Sequence, residues 1–304
     1  RALDMWEHDP AIDLVLIDAA GDKAFAAGGD IVNLYRTGRA GDFSFGRQFW
    51  ADEYRLNAKI ARYPKPYVAV MTGFTMGGGV GVSAHGSHRI VTDGSQVAMP
   101  ECGIGLVPDV GGSWLLARAP GRLGEYLGMT SARMGPGDAI HCGFADYYVP
   151  RKGLEGLQAA LVAGDLAAIE AVATAAPAPL AALQPEIDAV FAGSPAEILA
   201  RLEGGPDWAA KALKALRRNC PLSVACAAEM IRRGRHMHRI EEALALEYRF
   251  IWRCMGEGEF LEGIRAAVID KDRAPNWASG PLEAISEAEV SAMLAPPPSG
   301  DLVL

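Results

Sequence analysis

The chain has 304 residues, 50% hydrophobic and 22% charged, with a formal net charge of -8. This is a globular composition with ample material for a core, and the acidic balance excludes nucleic acid as a partner, since phosphate neutralisation needs a basic surface. The cysteines, Cys102, Cys142, Cys220, Cys226 and Cys254, form no CxxC pair, which excludes a disulfide framework and predicts reduced thiols in a cytosol-like compartment.

In chain order, Ile12–Asp18 (IDLVLID) reads as a buried strand. Gly21–Gly29 reads as a turn-rich loop, and Asp30 as the cap of the helix IVNLYR. Phe43–Arg62 has helical spacing that turns Phe45, Phe49, Trp50, Tyr54 and Leu56 inward, with Phe49 and Trp50 as core, and Pro64 and Pro66 stop it. Tyr67–Thr72, Arg89–Thr92 and Gln96–Met99 are predicted strands, and Gly111–Arg118 starts a helix. Between Tyr67 and His88 there is no formal charge, but the glycines there predict strand, turn and short helix, not a membrane span. Beyond Pro150 alanine and leucine dominate with helical periodicity, and Ala173–Leu180 (ATAAPAPL) reads as a hinge or linker. The expected organisation is an α/β core over residues 1–178 and a helical region over 179–304.

Gly77-Gly78-Gly79 lies between a strand and a helix start, where backbone N–H groups can face an anion or a developing oxyanion. Gly79, Gly81 and Ala84 also match a dinucleotide GxGxxA pattern, with Glu101 downstream, but the next strand comes too soon for a βαβ crossover. GVSAHG around Ser83 is an incomplete nucleophile elbow, with His85 where glycine belongs. Taken alone, the cluster is a tight turn packing a helix on a strand. It gains meaning beside AFAAGGDI (Ala24–Ile31) and MPECGIGLVPDVGG (Met99–Gly112), the latter carrying two carboxylates in an apolar, glycine-rich stretch.

Those two segments and KPYVAVMTGFTMGGGVG (Lys65–Gly81), in this order and spacing, resemble the crotonase superfamily of acyl-CoA enzymes. The resemblance implies a spiral of β-β-α units with a helical C-terminal region, and a family strand and helix ahead of Arg1. It implies an oxyanion hole from the N–H groups of Gly29 and Gly78. Gly81 falls beside that hole, where hydratases carry their first glutamate; the second matches Glu101. Asp109 replaces a usual glycine. The pair Glu101 and Asp109, with Glu247-Tyr248-Arg249 and FLEGIRAAVIDKDRAPNW (Phe260–Trp277), resembles the 3-hydroxyisobutyryl-CoA hydrolases; dienoyl-CoA isomerases carry similar acids.

The resemblance implies thioester hydrolysis in valine catabolism, with Glu101 and Asp109 catalytic and Lys23, Ala27 and Asp30 at the CoA-binding edge. It implies no cofactor beyond the CoA of the substrate and a homo-oligomer, commonly a trimer. The compartment expected is the cytoplasm in a bacterium or the mitochondrion otherwise. Simpler readings are that Asp109 caps the helix near Gly111, Lys23 is an exposed lysine, Lys271 and Asp272 form a surface pair, and His236 and His238 lie in a solvated loop without metal.

Overall fold

In the computed structural model, which describes residues 1–304, the first half of the chain alternates between two parallel sheets. It runs α1 (Ala2–Trp6), β1 (Val15–Ile17), β2 (Ala24–Ala26), α2 (Ile31–Arg39), α3 (Ser44–Ala61), β3 (Tyr67–Met71), β4 (Phe74–Met76), α4 (Gly78–Ser83), β5 (His88–Val91) and β6 (Gln96–Ala98). A 3₁₀ turn at Glu101–Ile104 leads to α5 (Gly112–Arg118), α6 (Leu123–Thr130), α7 (Pro136–His141) and β7 (Tyr147–Tyr148). Odd strands build one sheet in the order β1-β3-β5-β7, and even strands a second in the order β2-β4-β6. Every pairing is parallel. The chain thus spirals, each turn giving one strand to each sheet and then a helix. β3 is buried at all five positions, as expected of a strand covered on both faces.

The remainder is helical: α8 (Leu154–Val162), α9 (Ala168–Val172), α10 (Pro179–Val190), α11 (Pro195–Leu202), α12 (Asp207–Arg218), α13 (Pro221–Gly234), α14 (Ile240–Cys254), α15 (Phe260–Ile264), a π-helical turn at Arg265–Ile269, and α16 (Glu287–Met293). One buried cluster runs from Leu34 to Leu294 and joins both halves: α13 packs on α5 and α6, and α14 on α3. No helix is long and apolar enough to cross a membrane.

Several expectations are corrected. The predicted loop 21–29 contains β2, which pairs with the equally short β4; strands of three residues leave no alternating pattern to read. The buried stripe of α3 runs Gly46, Trp50, Tyr54, Asn57, so Phe45 and Leu56 fall off it and are exposed. Ala173–Leu180, read as a hinge or linker, leads from α9 into α10 and is tied down at both ends: Thr174 N–H donates to Tyr148 C=O at 2.9 Å, and Leu180 N–H donates to Asp138 at 2.9 Å. Asp272 pairs with Arg265 at 2.7 Å, not with Lys271. His236 and His238 are both exposed between α13 and α14.

Candidate active site

The repeated order of strand, glycine loop and helix in the spiral brings three loops together at one end of the sheets. β2 is followed by Ala27-Gly28-Gly29, β4 by Gly77 and the first residue of α4, Gly78, and β6 leads to the 3₁₀ turn that carries Glu101. Together with α3 they enclose a cavity of about 130 Å³ lined by Ala27, Gly29, Gly78, Glu101 and Asp109, and also by Phe49, Trp50 and Glu53. Trp50 belongs to the buried core and Phe49 packs against it, as expected, and both also line the cavity. Two wider depressions, of about 340 and 400 Å³, offer no comparable acid pair. In one, Asp301 is bound to Arg249 and Glu242 accepts from the N–H groups of His238 and Arg239; in the other, Glu241 is bound to Arg62.

The helix α3 closes over the glycines. A Cβ on Gly29 would meet Phe49 Cζ at 2.9 Å, and one on Gly78 would meet Glu53 Oε1 at 2.7 Å. Phe49 and Glu53 are four residues apart, so they stand one above the other on the same helical face. Gly29 N–H donates to no other backbone group, and Gly78, as the first residue of α4, has no partner for its N–H within its own helix. Glu101 Oε1 would lie 3.2 Å from a Cβ on Gly77, whose φ is +54°.

Glu101 and Asp109 are each only 4% exposed. Glu101 Oε2 is buried without any hydrogen-bond partner. Burial, and then the neighbouring Asp109 charge, hold its carboxyl well above the usual range. Asp109 is pushed up to about 7 by burial, against the Tyr54 hydroxyl that donates to its Oδ2 at 2.9 Å. Burial and the Asp109 charge push Glu53 up to about 8. No Lys, Arg or His lines the cavity.

Asp109 does not cap α5. That role falls to Glu247 on α14, which accepts from Gly111 N–H at 2.8 Å, Ser113 N–H at 3.0 Å and Ser113 Oγ at 2.5 Å. Glu247 is fully buried and pushed up to about 8 by burial, against those donors. The Asp109–Gly111 turn is strained: Val110 has φ +53°, a region costly for a β-branched residue. Its carbonyl is held by His85 Nε2 at 2.7 Å. His85 itself is pushed down to about 4 by burial.

Three residues expected at the site are not brought into the cavity. Gly81 is buried in α4, beneath the Asp109–Gly111 turn, where a Cβ would meet Asn57 Nδ2 at 2.7 Å and Val110 Cβ at 2.8 Å. A glutamate there would meet the same atoms before reaching the cavity. Lys23 is exposed, and Asp30 spends its carboxylate on the N–H groups of Val32 and Asn33, capping α2. Ser83 donates to Gly79 C=O at 2.6 Å and is no nucleophile. The sequence reading missed Glu53; its signal was an acid four residues after Phe49 on the inward face of an amphipathic helix.

The model of the family described as enoyl-CoA hydratase/isomerase matches residues 1–294. Among curated proteins, the mitochondrial 3-hydroxyisobutyryl-CoA hydrolase of Danio rerio is 39% identical over 94% of this chain and 78% of its own. The 3-hydroxyisobutyryl-CoA hydrolase 1 of Arabidopsis thaliana is 35% identical over 94% of this chain and 80% of its own. Among solved structures, an enoyl-CoA hydratase from Rhodobacter sphaeroides superposes with a TM-score of 0.94 at 55% identity, covering 100% of this chain and 90% of that one. A carnitinyl-CoA dehydratase from Mycobacterium thermoresistibile also gives 0.94, at 41% identity over 98% and 88%. The two-sheet spiral, the three converging loops and a family match along nearly the whole chain agree: this chain belongs to the enoyl-CoA hydratase/isomerase family, the crotonase superfamily.

Proposed function

We propose that this chain hydrolyses an acyl-CoA thioester, releasing a 3-hydroxy acid and free CoA, with 3-hydroxyisobutyryl-CoA as the substrate. The observation that carries this reading is the pairing of Glu101 and Asp109 in one desolvated cavity beside Gly29 and Gly78, with no acid at position 81. The curated relatives named as 3-hydroxyisobutyryl-CoA hydrolases support the choice of substrate. The thioester oxygen sits between the N–H groups of Gly29 and Gly78, which stabilise the oxyanion as it forms.

Two carboxylates in one dry cavity do not both ionise, so Glu101 and Asp109 share a proton. The Tyr54 hydroxyl favours the anion on Asp109, so at rest the proton is on Glu101, which has no donor; Glu101 acts in the minor state in which that proton has moved to Asp109. Burial then makes Glu101 a strong base toward a water placed against the carbonyl carbon. Asp109, steadied by Tyr54, orients the substrate hydroxyl. No cofactor is required beyond the CoA of the substrate.

The names of the two solved relatives, a hydratase and a dehydratase, favour a second reading, reversible addition of water to an enoyl-CoA. The test is thiol release from 3-hydroxyisobutyryl-CoA and a panel of acyl-CoAs, run beside hydration of crotonyl-CoA. Thiol release with poor hydration is expected. Fast hydration without thiol release from any 3-hydroxyacyl-CoA would reverse the assignment.

A further inference from the structure

The cavity holds one acid more than this chemistry uses. Glu53 lines it from α3, with Oε1 against Gly78, while Glu101 Oε1 lies against the adjacent Gly77. The two carboxyl groups therefore flank, from different elements, the place where the hydrolase reading puts the thioester carbon. Their surroundings differ from those of the other buried acids nearby. Asp109 has the Tyr54 hydroxyl, and Glu247 has three donors from α5. Glu53 has no donor to support an anion, and no cation lines the cavity. A carboxyl group so placed keeps its proton.

Hydrolysis needs such a proton. A base draws one from the attacking water, but the C–S bond breaks with its electron pair on sulfur. An alkyl thiolate leaves poorly unless it is protonated as it goes. Resting on the hydrolase reading, we propose that Glu53 is a third catalytic carboxyl group, the general acid that protonates the departing CoA thiolate.

The step balances. The water oxygen bonds to the carbonyl carbon as its proton moves to Glu101, and the carbonyl π pair becomes the oxyanion held by Gly29 and Gly78. When the oxyanion collapses, C=O re-forms, the C–S pair leaves on sulfur, and the Glu53 proton moves to that sulfur. The products are the carboxylic acid, free CoA thiol, protonated Glu101 and ionised Glu53. Transfer of the proton from Glu101 to Glu53, through water admitted as the products leave, restores the starting state. A carboxyl group pushed up to about 8 still holds its proton at neutral pH and is well matched to a thiol, about 8.5 for an ordinary cysteine side chain.

The experiment compares two esters of 3-hydroxyisobutyrate that both lack the nucleotide: the alkyl thioester of N-acetylcysteamine and the aryl thioester of thiophenol. Thiophenolate departs without help, so only the alkyl ester needs the acid. Glu53→Gln keeps size and polarity but cannot give up a proton usefully. It should lose about 100-fold in kcat/KM on the alkyl ester and no more than about 3-fold on the aryl ester, each relative to wild type. Glu53→Asp, which retains an acidic proton on a shorter arm, should recover part of the alkyl-ester rate. Equal losses on both esters would make Glu53 a structural residue and overturn the proposal, as would no loss on either. If Glu101→Gln fails on both esters while Glu53→Gln matches wild type, the hydrolase reading stands and this inference falls. If wild type releases thiol from neither ester nor from the CoA ester, both fall.

Discussion

Substituting Gly81 with alanine tests whether the turn carrying Asp109 rests on α4. The added Cβ would meet Val110 Cβ at 2.8 Å and Asn57 Nδ2 at 2.7 Å. Val110 would have to retreat by about 0.7 Å to reach a normal carbon–carbon separation. It has little freedom to do so, since it is buried at φ +53° with its carbonyl held by His85. Overpacking of this kind costs about 1–3 kcal/mol, a fall in Tm of about 1.5–5 °C for a chain of this size. Asp109 precedes Val110 directly, so the same displacement reaches the acid pair. Misplacement approaching 1 Å costs on the order of 10²-fold in rate, and a loss of about 10-fold or more in thiol release is expected. Gly156→Ala on α8 is the control, because nothing lies within 4 Å of its Cβ position. Calorimetry and a thiol-release assay read the two effects. Wild-type Tm and turnover in Gly81→Ala would refute the idea that this glycine makes room for the Asp109 turn.

Glu101→Gln should lower thiol release by about 10²-fold or more while acyl-CoA binding, measured by calorimetric titration, is retained. The base must be ionised to act, and burial raises both members of the pair, Asp109 to about 7. Activity should therefore fall as pH drops through about 7, far above the range of an ordinary carboxylate, and a kcat/KM profile flat down to pH 5 would contradict this. Glu247→Ala strands the buried N–H groups of Gly111 and Ser113, at roughly 2–6 kcal/mol for the two. Thermal unfolding should show the loss, with Glu247→Gln intermediate because it keeps one acceptor oxygen.

The parts of the site legible in the sequence are those whose chemistry is local. Glu101 and Asp109 stand in one apolar, glycine-rich stretch, and Asp30 caps the helix that begins at the next residue. What escaped depends on depth or on distant partners. Motif spacing places Gly81 near the hole but cannot tell that Val110 and Asn57 fill the space above it. Glu53 sits between Asp52, which pairs with Arg55 in solvent, and buried Tyr54, so its inward aim depends on a fraction of a helical turn. The capping of α5 joins residues 136 apart in the chain, which no local pattern near Gly111 announces. β2 and β4 were hidden for a related reason: each is held by its neighbour's backbone, not by a run of its own side chains.

The cavity's lining of acids without a basic side chain bears on the fate of the product once the C–S bond is cleaved. A thioester enters as a neutral acyl group, its charges confined to the distant nucleotide. Hydrolysis turns that group into a carboxylic acid at the place where Glu53, Glu101 and Asp109 converge. Once that acid gives up its proton, no guanidinium or ammonium receives the anion, and the N–H groups of Gly29 and Gly78 alone stand against desolvation and the charge of the nearby acids, both unfavourable. The reaction thus creates the repulsion that empties the site, and the wall that admits the ester ejects the acid.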